Sequence, residues 1–361
     1  MQKKIIALAV AGLASTAAFA QSNVTIYGVA DVGQAWVKSS KGTNDERQRT
    51  VGRLDSNNSY IGFKGAESLG NGLTAVFQYE TNVNFDENKG FDGKRDSFIG
   101  LAGAFGTVAA GRLTHPLREM GVKVDILPGS SGFGTVSSVT GQLAGQKTGA
   151  DERASNAVAY ISPTFGGGFS VTAAWVNGED RTDNYNARAW QIAAKYDNGP
   201  LYVGLGYHKA KDANPGGPGK DADARVWRLA AVYTAPFGTK FAGLYDNTKA
   251  DNILTYDSLK RQAWSLGASH AFGANTVGLQ YARSGKTNVS GAPNWKDSAN
   301  IWTASYGYSL SKRTQLHARY SRLANGKEGD FNYYYNAVDN GGNPDANMNY
   351  TGFMVGMRHS F

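Results

Sequence analysis

From residue 24 onward, apolar and polar positions alternate with a period of two rather than 3.6. At the C-terminus Phe353, Val355, Met357, His359 and Phe361 share one face, with Gly352, Gly356, Arg358 and Ser360 on the other. Leu201, Val203, Leu205 and Tyr207 oppose Tyr202, Gly204, Gly206 and His208, and Trp227, Leu229, Ala231 and Tyr233 align in the same way. Leu73, Ala75, Phe77 and Tyr79 form another apolar row, with Thr74, Gln78 and Glu80 facing the other side. Each segment predicts a β-strand with one apolar face and one small or polar face.

Two kinds of connection alternate between these segments. Short ones with tight-turn residues lie at 68–72, 103–106, 162–166, 197–200, 235–238, 272–275 and 310–313. Long polar ones are centred near residues 45, 88, 130, 182, 215, 254, 291 and 336. Seven short and eight long make fifteen connections, hence about 16 antiparallel strands with both termini on the short-turn side. A soluble sandwich has no reason to sort loop lengths so regularly.

After residue 20 no apolar run approaches the ~20 residues of a helical span. A strand that faces lipid on one side and water on the other is only half apolar, so the mean hydropathy of −0.40 is compatible with a membrane barrel. In lipid an open sheet edge would leave a row of backbone groups unpaired at several kcal/mol each, so the sheet must close, the strand near residue 24 pairing with the one ending at Phe361. The prediction is an all-β, transmembrane, up-and-down β-barrel in one domain, residues 21–361. Trp36, Tyr79, Trp175, Trp190, Tyr196, Tyr233 and Tyr308 would mark its two interfaces.

The N-terminus fits export. Lys3 and Lys4 precede an apolar stretch from Ile5 to Leu13, and Ala18-Phe19-Ala20 is a small-x-small site, so cleavage is expected between Ala20 and Gln21. Losing the two lysines takes Lys+Arg from 37 to 35 against 29 Asp+Glu, and the net charge from +8 to +6. Acidic residues interrupt the basic ones, as in Asp45-Glu46-Arg47, so no stripe for a phosphate backbone exists and nucleic acid is not an expected partner. With no cysteine there is no disulfide framework and no thiol catalysis.

Motifs for chemistry are lacking. His115, His208, His270, His317 and His359 show no metal spacing, and there is no G-x-S-x-G, phosphate-loop or H-E-x-x-H pattern. No cofactor, metal or enzyme activity is expected. Glycine clusters at 70–72 and 166–168 are explained as turns. A barrel enzyme at the external rim remains an alternative, with His208 its one tempting residue. A channel selective for one substrate class and an adhesin are the others.

The residues Val24–Asp31 (VTIYGVAD), Tyr60–Glu67 (YIGFKGAE), Leu69–Glu80 (LGNGLTAVFQYE), Phe105–Arg112 (FGTVAAGR), Arg153–Asn156 (RASN), Tyr160–Pro163 (YISP) and Met357–Phe361 (MRHSF) are in place in order. Over its whole length the chain resembles the general trimeric porins of Gram-negative bacteria, nearest the neisserial and β-proteobacterial branch. The resemblance implies a homotrimer and a third external loop, about His115 to Asp151, folded inward to narrow the channel. Asp125-Ile-Leu-Pro128 and Gly129–Gly134 would form its descent and turn.

In that family basic side chains on the wall face acidic groups on this loop. By position, Arg112 and Arg153 match wall arginines and Asp125 is the acidic candidate, while Tyr60 stands where enterobacterial relatives have arginine. Lys64 and Glu80 complete the expected constriction. Arg112 has the outward parity of Val108, so its lumenal placement would need a bulge. Arg319 and Arg358 are lumen-facing by alternation. Arg53, Arg95 and Arg188 are equally compatible with lipopolysaccharide phosphate at strand ends. Terminal Phe361 resembles the signal read by the barrel-assembly machinery. The expected function is passive diffusion of small hydrophilic solutes and ions across the outer membrane, with weak anion preference.

Overall fold

The computed structural model describes residues 24–44, 49–87, 90–143, 146–182, 185–211, 223–253, 256–338 and 345–361. The expected cleavage junction, Ala20 and Gln21, lies outside the described residues. The alternating segments become sixteen wall strands. They are β1 (Thr25–Ser39), β2 in two pieces (Val51–Ser56 and Tyr60–Gly70), β3 (Leu73–Asn82), β4 (Ser97–Gly103), β5 (Gly106–Thr114), β6 (Arg153–Ile161), β7 (Phe169–Thr182) and β8 (Tyr185–Asn198). The second half comprises β9 (Leu201–Lys211), β10 (Asp223–Thr234), β11 (Thr239–Ile253), β12 (Tyr256–Phe272), β13 (Asn275–Ser284), β14 (Ala299–Ser309), β15 (Thr314–Asn325) and β16 (Tyr350–Ser360).

Each strand pairs antiparallel with the next, and β16 returns to β1 in an unbroken ladder from Val29↔Ser360 to Ser39↔Tyr350. Closure leaves no unpaired edge at membrane depth. Phe353, Val355 and Met357 are exposed on the outer wall while Gly352 and Met354, of the opposite parity, are buried, as the alternation requires. Two of the expected long loops are different in kind. The polar stretches near 182 and 254 belong to strands, since β7 reaches Thr182 with β8 starting at Tyr185, and β11 reaches Ile253 with β12 starting at Tyr256. A stretch that is polar at both parities offers no alternation to read.

The third long loop, L3 (residues 115–152), lies inside the barrel. Pro116 at the first helical position fixes φ for a helix, α1 (Pro116–Val124), which stops at extended Asp125. Met120 and Val124 pack on Ala193, Tyr202, Ala230, Val232, Ala242 and Leu244 of β8–β11. Further on, Phe133, Val136 and Val139 reach Ala35 and Val37 of β1, Ile301 of β14 and Leu323 of β15. The apolar core is therefore the seam between L3 and the wall. Complete burial of Phe133, Leu117 and Met120 contributes about 1.5–3 kcal/mol each.

Two glycines allow this fit. A Cβ on Gly352 would stand 2.8 Å from the Phe133 ring, and one on Gly132, at φ 73°, would stand 2.5 Å from both Arg319 Nη1 and Asn57 Oδ1. L3 thus follows the wall from β8 round to β1. The wall of β2–β6, with the short-turn end of β1, is left facing the open lumen.

Candidate functional site in the narrowed lumen

The uncovered wall carries a compact charged cluster. Arg95, just before β4, pairs through Nε with Glu80 Oε2 (2.9 Å), donates through Nη1 to Asn58 Oδ1 (2.7 Å) and stacks over the Tyr60 ring at 3.9 Å. Tyr27 donates to the other Glu80 oxygen (2.8 Å), and Lys64 stands 4.8 Å over the Tyr27 ring. Arg153 pairs through Nε with Asp96 Oδ2 (2.9 Å), and Asp96 also accepts from Thr114 N and Oγ1. Asn58, at φ 58°, occupies the break between the two pieces of β2 and so leans on Arg95. Tyr60, Lys64, Glu80 and Arg153 are therefore brought together around Arg95.

Asp125 is not among them. It is buried within L3 and accepts from Leu127 N (2.8 Å), Ser130 Oγ (3.0 Å) and Val136 N (3.1 Å). Burial pushes its carboxyl above the usual range, against those three donors. It closes the turn of the loop instead of presenting charge to the lumen. Asp125→Asn is accordingly expected to leave ion selectivity unchanged in a bilayer, whereas Asp125→Ala, which strands two backbone donors, should make L3 sensitive to added protease in the folded protein.

Arg112 is also placed elsewhere. The ladder sets it opposite Ser97, on the face of Ala110, Ile99, Leu101 and Val108, the last three exposed on the outer wall. Its guanidinium donates to Ser155 Oγ (3.0 Å) and to the Lys94 carbonyl (3.4 Å). The bulge invoked for it exists on the facing strand. Gly111 pairs with Ala157 and Leu113 with Ala154, so Ser155 and Asn156 together oppose Arg112, with Asn156 at φ 55°. An extra residue there re-aims β6, not Arg112.

Arg358 donates to Asp31 Oδ2 (3.0 Å) on the lumenal side, and Asp31 also meets His317 Nε2 (3.0 Å) and Asn57 Nδ2 (3.0 Å). Arg319 is buried and gives Nη1 to the Ser131 carbonyl (2.5 Å), so it holds L3 rather than lining water. Arg188 is exposed outside the barrel, while Arg53 reaches the carbonyls of Asn336 and Ala337.

Sequence reasoning missed the root of L3. Arg228 of β10, fully buried, donates to Leu117 O (2.7 Å) on the descending limb, to both carboxylate oxygens of Asp151 on the returning limb, and to both of Asp246 on β11 (2.7 and 2.6 Å). Asp246 in turn accepts from Gly141 N (3.1 Å). Alternation did put an arginine between outward Trp227 and Leu229, which was the available signal. Beside it Gln191 accepts from Leu117 N (3.0 Å) and meets His208 Nδ1 (3.0 Å), whose Nε2 donates to Thr148 O (2.9 Å). His208 is thus a buried anchor of L3, not an exposed rim group for catalysis. The contacts of the last long loop with L3 were missed too: Tyr334 N donates to Ser138 Oγ (3.1 Å), Tyr333 lies 5.3 Å from Phe133, and Arg118 donates to Tyr335 Oη.

A closed antiparallel barrel with an apolar outer wall, a polar lumen and one loop folded into it defines a water-filled channel of the outer membrane. The chain belongs to the Gram-negative porin family, whose sequence profile matches residues 7–328. It is 34% identical over its full length, and over the relative's full length, to outer membrane porin protein 32 of Delftia acidovorans. It is 29% identical, again over both full lengths, to the major outer membrane protein P.IB of Neisseria sicca. Among solved structures it is similar to an anion-selective porin from Comamonas acidovorans, with 29% identity, a TM-score of 0.78, and coverage of 94% of this chain and 100% of that one. The protein is an outer-membrane porin, a passage for small hydrophilic solutes by diffusion.

Proposed function

We propose that the pore prefers anions and that its selectivity is set by the stretch of wall from β16 through β1 to β6. The observation that carries this is the set of donors left over after pairing. Arg153 uses only Nε, Arg95 leaves Nη2, Arg358 leaves Nη2, and Lys64 has no carboxylate partner among the described residues. Three of the four L3 carboxylates are withdrawn, since Asp125 and Asp151 are buried and Glu119 is tied to Lys195 (3.0 Å), which leaves Glu152 at the end of the loop. Charge of one sign around a narrow aqueous section sorts ions by sign, and the lack of a tight enclosed site lets solutes leave quickly. Zero-current potential of the purified protein in a bilayer under a salt gradient tests the sign. A cation-selective potential would overturn the reading, and a silent bilayer from folded protein would favour a barrel enzyme.

The working unit is a homotrimer joined through the outer face of β2–β5. Trp36, Trp175, Trp190, Trp227, Trp264 and Trp302 mark an outward belt, yet the chain has no tryptophan between Trp36 and Trp175. That sector offers Ile99, Leu101, Val108 and Phe77 instead, with the Arg112 guanidinium among them. An arginine facing lipid near mid-membrane costs roughly 2–4 kcal/mol, and packing against other subunits removes that cost. Ile99→Asp is expected to abolish the heat-labile trimer band on a gel while leaving a folded monomer.

The remaining partners are outer-membrane lipid, including lipopolysaccharide, and the barrel-assembly machinery. Supporting the last, Phe361 exchanges backbone hydrogen bonds with Gly28 (3.2 and 3.1 Å) while its ring stays exposed on the lipid face.

A further inference from the structure

The root of L3 holds two histidines that conduction does not use. His115, where L3 leaves β5, and His208 of β9 are both buried, with ring centroids 6.0 Å apart. Each faces a carbonyl, which only accepts: His115 Nδ1 meets Gly149 O at 2.7 Å, and His208 Nε2 meets Thr148 O at 2.9 Å. Those nitrogens therefore carry the protons, and in the neutral rings the opposite nitrogens are bare. The bare His115 Nε2 is buried and has no hydrogen-bond partner among the described residues. The bare His208 Nδ1 accepts from Gln191 Nε2 at 3.0 Å.

Gln191 of β8 is not free to turn. Its Oε1 accepts from Leu117 N (3.0 Å), one of the donors that the first turn of α1 cannot satisfy itself, and its Nε2 also reaches Ala150 O (3.5 Å) on the returning limb. A proton on His208 Nδ1 would set one N–H against another. Turning the amide to offer its oxygen would move the conflict to Leu117 N–H and set oxygen against Ala150 O. A second proton on His115 would bury an N–H without an acceptor, and burial already holds that imidazole below its ordinary range. The charges around the pair give no welcome to a further cation. Besides the two rings themselves, Arg228 of β10 and Asp151 of L3 face His208; Arg112 of β5, Arg118 of α1 and Asp151 face His115; β8 contributes the neutral Gln191. Asp151 already serves Arg228 through both oxygens, and Asp246 of β11 is matched to the same guanidinium.

We propose that His115 and His208 form a proton-sensitive latch, which seats L3 while both rings are neutral and releases its root when they are protonated, so that acid at the cell surface unsettles the constriction. Gln191 is the positioning residue: through one amide it passes the state of His208 to the first turn of α1. A seated ring refuses a proton that a released ring accepts. The seat is therefore at full strength above the ordinary imidazole value of about 6.5 and weakens as pH falls below it, the ratio of released to seated loop rising by up to about tenfold per pH unit for each histidine.

The test records open-channel flicker of the purified protein in a planar bilayer at fixed salt and voltage, between about pH 7.5 and about pH 4.5. Wild-type flicker is expected to rise by about tenfold or more across that range. Gln191→Glu offers an oxygen to each side, so it accepts both from Leu117 N and from a His208 imidazolium, and the slope against pH should fall to about half that of the wild type. The slope is the readout, because a merely structural defect raises flicker equally at every pH. A control carrying His270→Gln and His359→Gln, whose imidazoles meet Thr239 and Thr314 at the short-turn end, should keep the wild-type slope. A smaller wild-type rise, an undiminished slope in Gln191→Glu, or a diminished one in the control would each overturn the proposal. Should Gln191→Glu not fold, His115→Phe, which keeps a ring but has no nitrogen to protonate, takes its place with the same expected halving.

Discussion

With Arg95 and Arg153 both replaced by glutamine, the pore is expected to pass from anion to cation preference. The substitution removes two guanidiniums and leaves their partners, Glu80 and Asp96, as bare carboxylates on the same wall. An ion passing at ~6 Å interacts with each unit charge by about 0.7 kcal/mol in water, and screening at about 0.1 M salt leaves about 0.4. That is about twofold per charge for each ion. Two charges act in opposite directions on the anion and the cation, so the permeability ratio should shift on the order of tenfold. Reversal potentials in a salt gradient measure it directly. A ratio that stays within twofold of wild type would mean that charges elsewhere, at the mouth or the loops, govern selectivity.

Replacing Arg228 by methionine is expected to release the root of L3. The methionine fills similar volume but leaves Asp151 and Asp246 buried without their cation, and breaking a buried pair in this way costs about 3–5 kcal/mol. The barrel need not unfold, because closure of the wall does not pass through L3. The loss should instead fall on the loop, seen as open-channel noise and as voltage-induced closure at lower potential. Arg228→Lys keeps one charge but cannot serve two carboxylates and a carbonyl at once, so it should recover only part of the quiet behaviour. Noise unchanged in Arg228→Met would show that the apolar seam around Met120 and Phe133 holds the loop by itself.

The wall was legible in the sequence because each membrane-crossing strand faces lipid on one side and water on the other. Leu201–His208 and Phe353–Phe361 carry that contrast in their residues. Near residues 182 and 254 the sequence is largely polar at both parities, so the loop-side ends of β7, β8, β11 and β12 read as loops. The constriction was legible only in part. Tyr60, Lys64, Glu80 and Arg153 share one stretch of wall, but Arg95 at its centre precedes its strand and is fixed by Glu80, a partner fifteen residues earlier that alternation alone cannot assign. Asp125 was misjudged because an acid in a loop that crosses a pore has two uses. Local backbone donors claimed it. Arg112 was misjudged because an outward arginine is costly only if lipid is what it faces.

The ladder joining β11 and β12 pairs Thr239 with His270 at one end and Ile253 with Tyr256 at the other. β12 has 17 residues, and crossing the bilayer takes about 9–11 in a tilted strand, so roughly six continue beyond it as a stalk about 20 Å long. Below its tip the stalk packs Ala250 and Leu259 on Leu143 of L3, and its cross-strand pairs repeat every two residues. Residues can be added or removed at its tip in pairs without turning any side chain inside out. The surface shown to the surroundings can therefore diverge in length and character while the filter beneath it stays constant.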